Sequence, residues 1–153
     1  MNIQIRNFSF GGTSAIVTNM GLITGFDQTT VNKSTMLSAL LIVAIADNLT
    51  DSLSIHIYQE SEQLAAREAF RATLANFSAR LGLSLSFMFL VEFLPASFVA
   101  IVSIFWGLVL LIILTFVVAK SRKTPVIPEI WKHLGIAVAV ILISKMIGIM
   151  VLK

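Results

Sequence analysis

Residues 45–56, IADNLTDSLSIH, place Asp47 and Asp51 one helical turn apart, directly after the apolar run MLSALLIVAIA. At 100° per residue, Asp47, Asp51, Ser54 and Tyr58 fall within about 60° of one another on a helix. They form one polar stripe, with Asn48 and Thr50 at its flanks. Two carboxylates in register suit cation chemistry. Hard cations take oxygen ligands, and Fe²⁺ and Mn²⁺ accept carboxylates readily. A carboxylate in low dielectric also holds a proton more readily as a class. The plain structural counterpart is a polar knot, with Asp accepting hydrogen bonds from Ser, Thr and Asn of the first apolar segment. His56 lies about 180° from Asp47 on the same helix, so a regular helix keeps it out of a shared ligand site within one subunit. It is expected to pack or to sit at the membrane surface.

Other chemistries lack their residues. With no cysteine, disulfides, thiol catalysis and thiolate metal sites are excluded. The chain has no Gly-rich phosphate loop, no HExxH and no Ser–His–Asp set. We therefore expect no enzyme and no permanently bound cofactor. The net charge of +3 is small, and the basic residues flank apolar segments, so no nucleic-acid partner is expected. No cleavable signal peptide is expected either, because the first apolar stretch lacks a basic start.

The elements that must carry these residues follow from composition. Of 153 residues, 57% are hydrophobic and 12% charged, with a mean hydropathy of +0.92. A soluble core of this size cannot hide that much apolar surface. The expected class is an all-α membrane protein in one domain, 1–153, with the lipid bilayer as its partner. Five stretches reach the length a bilayer needs: about 9–26, 34–58, 78–94, 96–119 and 131–152. Pro95 marks a helix start, and Pro125 and Pro128 precede the fifth stretch. In segment 59–77, Leu64, Phe70, Leu74 and Phe77 recur at helical spacing. It reads as a short amphipathic cytoplasmic helix between the second and third spans, or as a helical lead into the third. On the first span Gly11, Ser14, Thr18, Gly21 and Gly25 share a face, a close-packing seam within the subunit or across a dimer. Asn19 and Met20 point away from that seam, towards a cavity or into packing.

Ionisable groups at bilayer depth need a partner, water or the bundle interior. Glu92 and Lys145 lie at similar depth in the third and fifth spans, so they are expected to form an ion pair, as a clamp or a gate. Orientation follows from basic residues. Arg6, Arg67, Arg71, Arg80, Lys120, Arg122, Lys123 and Lys132 fall on one side of a five-span arrangement, against Lys33 and Lys153 on the other. The positive-inside rule then puts the N-terminus in the cytoplasm and the C-terminus outside, in a multi-pass inner-membrane protein.

The chain resembles the vacuolar iron transporter family. Its first span, GGTSAIVTNMGLITGF, is similar to that family's DG-x-x-x-x-x-G-L-x-x-G segment. ADNLTDSLSIHIYQESE resembles its acidic-x7-Met-x-x-G-E-Y region. The end, AKSRKTPVIPEIWKHLGIAVAVILISKMIGIMV, resembles its last loop and helix. The resemblance implies a homodimer that exports Fe²⁺ or Mn²⁺ from the cytosol against protons. It puts Asp47 in the ion path, with Tyr58 and Glu60 near the G-E-Y glutamate; Asp51, Ser54 and Tyr58 of the same stripe and Ser14 and Asn19 of the first span complete the candidate pathway. Glu60, Glu62 and Glu68 are then the remnant of a glutamate-rich cytoplasmic metal-collecting region. Ser14 stands where the family has its first-span aspartate, Ile55 where it has a methionine, and Gln59 at the G-E-Y glutamate. Those departures leave two other functions open: a non-transporting scaffold or accessory protein of the same fold, or a carrier of another cation or small amine.

Overall fold

The long apolar runs have no alternation that a strand would need, and they fold as helices: α1 (Ile3–Asp27), α2 (Lys33–Ser61), α3 (Ala66–Phe93), α4 (Ala96–Arg122) and α5 (Val126–Val151). The computed structural model describes residues 3–27, 31–63 and 65–151, with side chains from residue 11 onward. The expected positions of Arg6, Leu64 and Lys153 therefore lie outside the described side chains. The helix ends obey local chemistry. Asn32 opens α2, its side chain accepting from the Thr35 N–H at 2.9 Å. Pro95 precedes the first residue of α4. Lys123 closes α4 in the left-handed conformation, φ 56°, its N–H returning to Ala119 and Lys120 carbonyls. Pro128 falls in the first turn of α5, where no intrahelical N–H is needed.

The expected separate amphipathic helix does not form. Residues 66–77 are the first turns of α3, which runs unbroken to Phe93. The connection between α2 and α3 shrinks to a tight turn around Gln63, φ 57°. The amphipathic pattern is real, since Phe70 and Leu74 are exposed while Ala69 and Ala72 are buried. It describes one end of a long helix lying along α2, the lead into the third span.

Four helices, α2 to α5, are long and apolar enough to cross a membrane. The remaining helix, α1, sits inside the bundle, packed against α3, α4 and α5, with its Asn19 and Thr24 buried there. Its Gly12 meets Leu114 of α4, and Gly21 and Gly25 meet Ser144 of α5. The small-residue seam thus lies within the subunit. In lipid no transfer term drives helices together, so close packing of this kind must hold them. The core is Ile16, Met20 and Ile23 of α1 against Phe87, Val91 and Leu111. Met20 is fully buried, with its thioether against Gly107, so it serves packing. Outward positions carry Ile42, Leu49, Phe105, Ile113, Trp131, Ile143 and Met150, all exposed. Water-soluble proteins rarely show such continuous apolar surface. This is the surface of a multi-pass membrane protein.

Candidate functional site

Along α2 the buried residues are Met36, Leu40, Ala44, Asn48, Ser52 and Gln59, near-regular four-residue steps. They face the α3 line Ala69, Ala72, Asn76, Arg80, Ser84, Phe87 and Val91. The alanines at one end let the two helices approach closely. Asp47 and Asp51 stand beside this seam. Both reach one guanidinium: Arg80 Nη2 donates to Asp47 Oδ2, and Nη1 donates to Asp51 Oδ2. The planar fork of arginine suits two carboxylates one turn apart better than a lysine ammonium would. The arginine side chain is 3% exposed, against 44% for Asp47 and 29% for Asp51. The cation is therefore inside and the anions form a lip. With two carboxylates and one guanidinium, the triad has a formal charge of −1.

Around the triad lies a set of buried polar atoms that find no hydrogen-bond partner among the described residues. They are Arg80 Nε, both amide atoms of Asn76, Asn48 Oδ1, Ser52 Oγ and Asn19 Oδ1. Gln59, towards the end of α2, leaves its amide unpartnered too. Some of these side chains are held at one end. Asn48 Nδ2 donates to the Phe77 carbonyl at 2.9 Å, and Asn19 Nδ2 donates to Ala15 O at 2.7 Å and Ser84 Oγ at 2.9 Å. Gly11 of α1 closes the site from the third side. A Cβ there would overlap Asn76 Oδ1 and stand 2.9 Å from Arg80 Cγ. An unsatisfied buried polar group costs about 1–3 kcal/mol, so a cluster of them marks a place where packing alone does not explain the sequence.

Several expectations are corrected by this geometry. Arg80 is not a cytoplasmic cation flanking the third span; it is buried in α3 as the partner of the two aspartates. The stripe of Asp47, Asp51, Ser54 and Tyr58 does not face wholly inward. Ser54 is exposed and donates to the Thr50 carbonyl at 3.0 Å, and Tyr58 is 55% exposed. Glu60, Glu62 and Glu68 are exposed and do not join the aspartates. Glu60 instead stands 3.3 Å from His56 Nε2. Among the described residues no three His, Cys, Asp or Glu side chains converge as a metal site. Ser14 is half-buried on α1. Glu92 and Lys145 are both exposed, and no ion pair joins them among the described residues. Helix α1 packs against both α3 and α5, which are not themselves a packed pair. The end of α3 is met by Lys33 instead, whose Nζ donates to the Glu92 carbonyl at 3.2 Å and to that of Leu94.

Asn48, Ser52, Asn76 and Arg80 were missed by sequence reasoning. Their signal was present as two i, i+4 series, 44–48–52 on α2 and 72–76–80–84 on α3, each small or polar. An open groove of about 900 Å³ between α2 and α3, lined by Lys33, Ser38, Leu41, Phe89 and Glu92, does not include the triad. No family model matches this chain, and neither the curated proteins nor the solved structures yield a match.

Proposed function

We propose that this chain is a cation transporter of the membrane, divergent from the vacuolar iron transporter family, with Asp47 and Asp51 as pathway carboxylates. Its substrate is a divalent cation, Fe²⁺ or Mn²⁺, exported from the cytosol in exchange for protons. The observation that carries this reading is the placement of two carboxylates, a buried arginine and unpartnered amides along one seam of two membrane-crossing helices. Ionisable groups at that depth are costly and mark ion or proton routes by default. The N-terminus is cytoplasmic and the C-terminus outside, in the inner membrane. Asp47 is nearly half exposed on the bundle surface. A second copy packed on that face of α2 shields it from lipid, which favours a homodimer with the carboxylates near its seam. Glu60, Glu62 and Glu68 collect cations at the cytoplasmic mouth.

A second reading has its own support. Arg80 engages both carboxylates, and no third ligating side chain joins them among the described residues. On that reading the triad is a clamp in a non-transporting scaffold of the same fold. Reconstitution into liposomes separates the two. Fe²⁺, Mn²⁺ and proton fluxes are followed for wild type and Asp47→Ala, with metal-dependent flux expected in the first and lost in the second. A wild type that moves neither metal refutes the transporter, and an Asp47→Ala protein as fast as wild type leaves the triad as a clamp.

A further inference from the structure

We infer that Arg80 is a displaceable internal cation: its guanidinium occupies the Asp47–Asp51 site, and it moves to the Asn76 amide beside Gly11 when a divalent cation takes the two carboxylates. This rests on the proposed reading of the aspartates as cation ligands, and adds how the site is closed. Three observations carry it. A purely structural clamp would be fully hydrogen bonded, because a half-satisfied polar network is worse than an apolar one. Here the arginine is 2% exposed, Asn76 is fully buried, and among the described residues neither Arg80 Nε nor either Asn76 amide atom has a partner.

The second observation is adjacency. Asn76 and Arg80 are one turn apart on α3, and helical side chains lean towards the N-terminus, which carries the arginine stem over Asn76. The stem and the amide meet at the same point, Gly11, where only a missing Cβ leaves room for both. Asn76 Oδ1 is thus an unused acceptor beside the arginine's own path. The third observation is charge. Two carboxylates and a guanidinium sum to −1, whereas a divalent cation neutralises the carboxylates and repels the guanidinium. A cation that enters therefore drives Arg80 away, and the arginine's return helps expel it. A carrier site must bind well enough to load and weakly enough to release.

The test is direct binding of Mn²⁺ to the purified full-length protein in detergent micelles, read from the free-ion electron paramagnetic resonance signal. A tethered competitor lowers apparent affinity by the fraction of time it vacates the site, and minor states of this kind are populated at about 0.1–10%. Arg80→Gln is therefore expected to bind Mn²⁺ at least about tenfold more tightly than wild type. The gain must vanish in Arg80→Gln combined with Asp47→Asn and Asp51→Asn. Should Arg80→Gln fail to fold, Asn76→Asp serves the same purpose, because a carboxylate there draws the guanidinium off the pair while keeping it charged. It too must gain affinity, and lose the gain with Asp47→Asn and Asp51→Asn. Unchanged affinity in whichever variant folds, or a gain that persists without the aspartates, overturns the inference. The transporter reading fails separately. If Arg80→Gln gains affinity while wild-type proteoliposomes carry no Mn²⁺, the latent site stands and transport does not. If wild type carries Mn²⁺ and Arg80→Gln binds no tighter, only the displaceable arginine is lost.

Discussion

Met20 and Gly107 show how single residues hold this bundle. The Met20 thioether and the Phe87 ring fill the space above Gly107, so an added methyl would overlap Met20 Sδ and meet Phe87 Cζ at 3.2 Å. Overpacking of this kind costs about 1–3 kcal/mol. Gly107→Ala is expected to lower the thermal unfolding midpoint in detergent, and Met20→Ala in the same chain to recover part of the loss. Gly82→Ala, with nothing within 4 Å of its added methyl, is expected to leave the midpoint unchanged or slightly raised. Equal losses at Gly107 and Gly82 would refute the packing argument. The residue scale is also where the sequence was least legible. Asp47 and Asp51 announce themselves because charge inside an apolar run is rare. Arg80 stands just as deep in a span, yet arginine near a helix end is ordinarily a cytoplasmic anchor, and the rule for loops claimed it. Asn76 carries no charge, and its role depends on the missing Cβ of Gly11, far away in sequence. The 72–76–80–84 series marks Asn76 as facing a neighbour, but nothing in that series points to Gly11 as the neighbour.

At the scale of elements, periodicity served well where helices face lipid and poorly where they face each other. The stretches 34–58, 78–94, 96–119 and 131–152 were readable as helices from length and hydropathy because the bilayer demands both. The joint between α2 and α3 was not, since an amphipathic segment looks the same whether it lies on a membrane or continues a helix along its neighbour. The α2–α3 pair is closed at its other end by Lys33, whose ammonium donates to the Glu92 and Leu94 carbonyls. A cation at the carbonyl end of a helix contributes about 0.3–1 kcal/mol where solvent reaches it. Lys33→Met is therefore expected to raise amide hydrogen exchange in the last turn of α3 with little effect on the core around Phe87. Lys33→Arg should preserve protection. If exchange rises equally along the whole of α3, Lys33 stabilises the bundle and not the helix end.

For the whole molecule, the quantity that matters is which way the bundle stands in the membrane. The turn between α2 and α3 and the turn between α4 and α5 lie at the same end if all five helices cross. Their flanks carry Arg67, Arg71, Lys120, Arg122 and Lys123. Among the described residues the opposite end offers Lys33, whose ammonium is spent on the carbonyls of α3. Moving Arg80 from the flanking set into the bundle removes one cation from the first group, yet the imbalance keeps its sign, so the orientation rule still favours the proposed arrangement with these two turns in the cytoplasm. The absence of cysteine makes this directly measurable. Single substitutions Glu62→Cys and Arg122→Cys, both at exposed positions, are expected to react with a membrane-impermeant thiol reagent only from the cytoplasmic face. Ser34→Cys and Ser97→Cys, exposed at the other end, are expected to react only from outside. Labelling of Glu62→Cys and Arg122→Cys from opposite faces would mean that α3 and α4 do not cross as a pair. The reverse pattern throughout would invert the molecule, place the carboxylate lip nearer the outer leaflet and turn the proposed export into uptake.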